Sequence, residues 1–337
     1  MARAPLVQVT RGTVRESLHR GAVAVVDRAG RLRYRAGDPD LELFLRSSAK
    51  PLQAIPLIES GAADTLGLGE QEVAVTCGSH SAEPDHLTAV RSILEKAGLD
   101  EGALQCGVHP PVDATQAAEL ARAGRTPTAL HHNCSGKHAG MLATCRVRGW
   151  PLDTYRAPDH PVQHEIAGIV GEFCGVPSAA MAIGTDGCGV PTFHLTVAQT
   201  ALAFARLADP SDLAPRRSAA AARLVRAMVA HPGMVAGTGR LDTVLMETFP
   251  GRLVAKEGAE GVSGIGLIDL GWGIGVKIED GNRRGLGAVI LETLRQLEFA
   301  SASDLDTLAA HYRPEIRGTD GRAVGEMRAV FTLEKVS

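Results

Sequence analysis

Short alternating or apolar runs open the chain, and helical spacing takes over after about residue 47. Leu6–Thr10, Ala22–Asp27 and Leu32–Ala36 read as strands, with Arg28-Ala29-Gly30 as the turn between the last two. Leu87, Val90, Leu94 and Ala97 recur at three-and-four spacing, which predicts a helix from Pro84 to just before Gly98. Further helices are expected over Ala114–Ala123, Ser135–Arg146, Val162–Phe173 and Arg216–Ala230. Strands return in Leu253–Lys256, Ile265–Leu270 and Gly273–Ile278, broken by glycines of the kind found in hairpins, and a long helix, Gly287–Phe299, follows. Strands at both ends with helices between predict an α+β fold whose terminal strands share one sheet. No repeat, low-complexity tract or Pro/Ser linker divides the chain.

Composition narrows the class. Hydrophobic residues make up 45% of the 337 and charged ones 22%, the balance of a globular protein. Only 4% are aromatic, so the core must be built mainly from Ala, Val, Leu and Ile. A net charge of −3 argues against nucleic acid or an anionic membrane as the main partner. No apolar stretch reaches the ~18 residues of a membrane span. The opening MARAPLVQVTRG has neither an apolar signal region nor a cleavage site, so a cytoplasmic protein is expected. The six cysteines (77, 106, 134, 145, 174 and 188) are irregularly spaced and contain no C-x-x-C, which reads as reduced thiols.

The signatures of dinucleotide binding, P-loop hydrolysis, zincin proteolysis and the nucleophile elbow are absent. Five segments carry chemistry instead. In Arg46-Ser47-Ser48-Ala49-Lys50-Pro51, Ser47 has a lysine three positions on, the S-x-x-K arrangement of serine acyl-transfer enzymes. On a helix that spacing puts both side chains on one face. Lys50 can act as a base only if burial or a second cation lowers its pKa from ~10.4. Pro51 requires the helix to start close to Ser47. Thr76–Pro84 (TCGSHSAEP) is dense in hydroxyl, imidazole and carboxylate groups before a helix that Ser79 or Ser81 could cap. His131–Gly140 (HHNCSGKHAG) leads into an apolar helix, and Gly184–Pro191 (GTDGCGVP) is a glycine-rich turn after an apolar run. Cys134 and Cys188 from these two segments are soft ligands for zinc if they meet, though spacing alone favours two unrelated reduced thiols. Lys256 closes an apolar strand and is followed by Glu257 and Gly258.

In this order, the five segments resemble the asparaginase II family, the group similar to the Rhizobium etli enzyme. The likeness also takes in Arg15-Glu16-Ser17 and His19-Arg20-Gly21, and His132–His138 (HNCSGKH) is its most specific part. The resemblance implies a serine β-lactamase- or glutaminase-like fold, a sheet flanked by helices, over residues 1–337 as a single catalytic domain with room for two sub-lobes around the active site. It implies a homodimer that hydrolyses L-asparagine to L-aspartate and ammonia. It further implies two Ser/Lys pairs, Ser47 with Lys50 and Ser79 with Lys256, and a zinc ion held by Cys134, Lys137 and Cys188.

With those roles in place, Ser47 is the expected nucleophile and Lys50 its base. Ser79 and Lys256 then relay a proton to the leaving nitrogen and keep Lys50 neutral by like-charge repulsion. Both serines have a lysine available, so the sequence leaves open which of them attacks. Arg46, His80, Asn133 and Asp186 are the expected substrate-binding residues, the two charged ones by complementarity to an amino acid. Zinc is expected to position rather than to react. Two rivals stand beside this reading: a glutaminase or other amidase of the same fold, and a zinc-dependent structural protein without activity.

Overall fold

The computed structural model describes residues 3–336, so Met1 and Ala2 of the opening segment and Ser337 lie outside it. The strand Val14–Asp27 organises the molecule. Along one edge its first half pairs with Ala4–Arg11 and its second half with Leu32–Ala36, so those two strands lie end to end. Its other edge carries Trp272–Ile278, followed outward by Val262–Leu267 and Leu253–Gly258. Ala323–Ala329, Glu315–Arg317 and Glu334–Lys335 complete a sheet of nine strands among the described residues, antiparallel throughout. The two ends of the chain therefore share one sheet, as an α+β plan requires.

The glycines of the late strands do other work than the hairpin turns expected of them. Gly264, Gly266, Gly273 and Gly275 lie inside strands. A Cβ there would come within 1.9–2.7 Å of the Phe204 ring or of the carbonyls of Val197, Ala201 and Phe204. Those groups belong to the helix Val197–Ala208, which lies flush on the sheet because side chains are missing beneath it. Thr196 and Gln199 cap this helix reciprocally. Residues of opposite parity, such as Ile278, face the other side, where the Arg283–Gly285 turn and the helix Leu286–Gln296 pack. The sheet is thus flanked by helices on both faces.

The expected helices are present as Pro84–Lys96, Ala114–Arg122, Ser135–Arg148, Pro161–Cys174 and Pro215–Ala230. Ser135–Arg148 packs on Glu70–Thr76, and Gly136 permits it: a Cβ there would stand 2.4 Å from the Val75 carbonyl. A second sheet of Glu42–Phe44, Pro191–Thr196 and Ile183–Thr185 brings the segments after residues 45 and 185 together. All six cysteines are free, and no helix among the described residues is long and apolar enough to cross a membrane.

Candidate active site

Ser47 sits in a turn that the backbone has to strain to make. Arg46 has φ 51°, a left-handed conformation that costs a non-glycine residue on the order of 1–3 kcal/mol. Arg46–Ala49 forms a 3₁₀ turn that passes into the helix Lys50–Gln53, with Pro51 in its first turn where a proline is tolerated. Two contacts hold the turn: the Arg46 N–H donates to Thr192 Oγ1 (3.2 Å), and Leu45–Ser48 lies against the end of the strand Leu253–Gly258. That approach needs glycine at 258, since a Cβ would meet the Leu45 carbonyl at 2.7 Å.

Lys50 is fully buried, and its amine bonds groups from two other segments of the chain. Nζ lies 2.6 Å from the Gly78 carbonyl, 2.9 Å from Ser79 Oγ and 3.3 Å from the Asn133 carbonyl. Ser47, three positions earlier, is half-buried, and its hydroxyl has no hydrogen-bond partner among the described residues. A neutral amine has two N–H donors and one lone pair, which match two carbonyls and one hydroxyl. Burial pushes the Lys50 pKa down to about 8, with the Lys137 and Lys256 cations adding to the shift and the Cys134 and Cys188 sulfurs opposing it.

Ser79 is 4% exposed. Its N–H donates to the Val235 carbonyl (2.8 Å), and Gly78 allows the approach because a Cβ would lie 2.6 Å from the Met234 carbonyl. Ser81 donates to the Ala236 carbonyl (2.9 Å), so neither serine caps the following helix; Glu83 and His86 occupy its start. Lys256, also fully buried, does not bond Ser79. It donates to Asp242 Oδ2 and to its neighbour's carbonyl at Glu257, both at 2.9 Å. Burial lowers the Lys256 pKa against the pull of the Asp242 carboxylate.

His80 is enclosed. Its Nδ1 accepts from the Ala82 N–H (3.2 Å), and Nε2 lies 2.8 Å from Ser135 Oγ. Burial holds its pKa well below the ordinary value, so the ring is neutral. Ala82, like Arg46, is a non-glycine residue in the left-handed region (φ 62°). Asn133 is half-buried, and its carbonyl receives both Lys50 and the His80 N–H (3.2 Å).

Beside this centre lie Cys134, Lys137 and Cys188, all buried. Lys137 Nζ is 3.0 Å from Cys188 Sγ. A hydrogen bond from Cys188, together with the Lys50 and Lys137 charges, pulls the Cys134 thiol well below its ordinary range. Cys188 is pushed up as the partner that keeps the proton. Lys137 is burdened by burial, but the two sulfurs outweigh that and keep it an ammonium. Arg46 Nε and Asp186 Oδ1 pair at 2.7 Å at the edge of the site. Burial opposes the Asp186 charge, yet Lys137 and Arg46 hold its carboxyl below the usual range. Among the described residues no three His, Cys, Asp or Glu side chains converge as a metal site.

The sequence profile of L-asparaginase II matches residues 7–329. The chain belongs to the L-asparaginase II family. No curated protein matches the chain in sequence. Among solved structures it is similar to Mglu in its native form (17% identity, 85% of this chain and 66% of that one, TM-score 0.43). It is also similar to Mglu in its glutamate form (16%, 83% and 61%, 0.44) and to a β-lactamase from Mycobacterium bovis (19%, 82% and 94%, 0.42). The chain thus spans just under two thirds of the length of those two Mglu chains.

Two residues that sequence reasoning missed join the parts of this asparaginase II family site. Asp242 fastens Lys256 and also accepts from the Glu257 N–H at 2.9 and 3.1 Å. Arg240 donates to the Ser79 carbonyl, to the Ala236 carbonyl (3.1 Å) and to Glu257 Oε1 (3.2 Å). Arg283 contacts the same Glu257 carboxylate from the rim. The helix that carries Asp242, Leu241–Thr248, was absent from the sequence pattern, and a lone Arg and Asp beside it gave no spacing signal.

Proposed function

We propose that this family member hydrolyses L-asparagine to L-aspartate and ammonia through an acyl-enzyme on Ser47, with Lys50 as base. The observation that carries the reading is the buried Lys50 amine, held by two carbonyls and the Ser79 hydroxyl, beside a second serine whose hydroxyl is free. Ser47 Oγ attacks the side-chain amide carbon, and its proton passes to Lys50, which turns from its longest bond, to Asn133, toward the hydroxyl one turn earlier. The C–N bond then breaks, and the proton returns through Ser79 to the departing nitrogen as ammonia leaves. Water reverses the sequence to release aspartate. Lys256, kept cationic by Asp242, favours the neutral form of Lys50.

The Arg46–Asp186 pair sets opposite charges side by side at the edge of the site, the complement of an amino acid's carboxylate and ammonium. His80, with both ring nitrogens engaged by protein, acts by fixing Asn133 and the Ser79 loop rather than by touching substrate. One observation favours a second reading in which Ser79 attacks: it is the serine already bonded to the base. Against it stands its 4% exposure, where Ser47 is half-buried.

Zinc belongs to the same proposal. Two sulfurs that share one proton and an amine beside them suit a thiophilic cation, provided binding displaces the protons on Cys188 and Lys137. Cys134, Lys137 and Cys188 would hold the ion, which when bound supplies Lewis acidity and a fixed point for the loops at Cys134–His138 and Asp186. A cytoplasmic homodimer completes the reading; sedimentation velocity reads its mass.

A coupled ammonia assay on a panel of amino-acid amides tests the function. Ammonia from asparagine with kcat/KM well above that for glutamine is expected. One methylene is worth only ~1–3 kcal/mol, so equal values would make this an unselective amidase or a glutaminase. No release from any amide, with zinc needed for folding, would favour the structural alternative.

A further inference from the structure

His138 closes the HNCSGKH segment, and the proposed chemistry leaves it without work. It is fully buried on the helix Ser135–Arg148, one position after Lys137. Its Nδ1 lies 2.7 Å from the hydroxyl of Tyr155, itself fully buried. Its Nε2 is enclosed with no hydrogen-bond partner, and the ring neighbours Cys188.

The hydrogen-bond inventory fixes which nitrogen carries the proton. The Tyr155 hydroxyl accepts the Gln105 N–H at 2.9 Å, and Gln105 is anchored by its own amide to the Asp153 carbonyl (2.9 Å) and by Arg156 (2.8 Å). Among the described residues, the proton of that hydroxyl has one acceptor within reach, His138 Nδ1. Were Nδ1 protonated, two hydrogens would face each other and a buried donor would go unpaired, a penalty of about 1–3 kcal/mol. Nδ1 therefore accepts, and Nε2 carries the hydrogen. A protonated ring nitrogen cannot ligate a metal, but it can donate to a thiolate sulfur.

The structure assigns His138 as a positioning residue that offers its Nε2–H, unpaired in the protein alone, to the neighbouring Cys188 sulfur, its tautomer set by Tyr155. This rests on the zinc reading above only for its consequence, since the tautomer exists with or without metal. A donor on a metal-bound thiolate orients the ligand, and losing such a partner typically weakens binding by 10–100-fold.

The test has two arms on the full chain. In ¹⁵N-histidine-labelled, metal-free protein, long-range ¹H–¹⁵N correlation is expected to show His138 as the Nε2–H tautomer, shifting toward Nδ1–H in Tyr155→Phe. An Nδ1–H tautomer in the unsubstituted protein overturns the assignment without any variant having to fold. In the second arm, chelator competition measures zinc affinity, and cobalt(II) substitution reports the thiolate charge-transfer bands. His138→Ala is expected to bind about 10–100-fold more weakly with both thiolates still bound, and His138→Gln, whose amide can donate, to recover part of the loss. Unchanged affinity in His138→Ala overturns the role. If the unsubstituted protein binds neither metal, the zinc reading fails and with it the role at Cys188, while the tautomer arm is read independently.

Discussion

Lys50 Nζ and Ser79 Oγ lie 2.9 Å apart across 29 positions of sequence, whereas Ser47, three positions before the lysine, shares no hydrogen bond with it. The S-x-x-K spacing thus brings the turn and the base into one place without joining them, and the second serine comes from another loop. A base bonded to one hydroxyl, with a free one three positions earlier in the chain, can take a proton from the free hydroxyl and return it by way of the bonded one.

That role gives the pH dependence a sign. With its pKa near 8, Lys50 is an ammonium below that value and a free amine above it. kcat/KM is therefore expected to rise with pH up to about 8 and then level, because deprotonation creates the base. Lys50→Met should abolish this limb together with nearly all turnover. A flat profile from about 6 to about 10 would leave no place for a lysine base.

Asp242 and Lys256 form an ion pair with side-chain exposures of 1% and 0%. Removing one member strands the other charge in the interior, which typically costs about 3–5 kcal/mol. Asp242→Ala should lose stability on that scale in urea titration. A change below about 1 kcal/mol, the scale of an exposed pair, would contradict the burial of the pair.

Gly258 and Gly168 make a matched comparison. A Cβ at 258 would stand 2.7 Å from the Leu45 carbonyl, while one at 168, inside the helix Pro161–Cys174, meets nothing within 4 Å. Gly258→Ala should displace the Ser47 turn, lowering kcat at least about tenfold and stability by about 1–3 kcal/mol. Gly168→Ala should keep full activity and gain about 0.5–1 kcal/mol. Steady-state kinetics and denaturant melts read both.

If zinc holds the substrate loops as proposed, chelation raises KM more than it lowers kcat. Cys188→Ser should reproduce the chelated enzyme. Metal-free protein, verified by elemental analysis, that binds asparagine yet turns nothing over would move zinc into the chemistry.

Much of this was legible in the sequence, and the misses have physical causes. The sheet shared by both termini followed from strand patterns, but the outer half of Val14–Asp27 did not, since its polar residues face solvent. Val197–Ala208 escaped because nine of its twelve residues are Ala, Val, Leu or Phe, leaving only Gln199, Thr200 and Arg206 to mark its polar positions. The glycines that seat it looked like turn residues. The chemistry-bearing segments stood out by composition, whereas their partners did not. The Lys256–Asp242 bond spans 14 positions, and Lys50–Ser79 spans 29, separations that only the fold can close.

The most direct test of the account is where the acyl group sits. Mass spectrometry of enzyme quenched during asparagine turnover should find an aspartyl ester on the peptide containing Ser47, absent from Ser47→Ala and accumulating when Ser79→Ala slows its hydrolysis. An ester on Ser79 instead, persisting in Ser47→Ala, would contradict the assignment of the nucleophile.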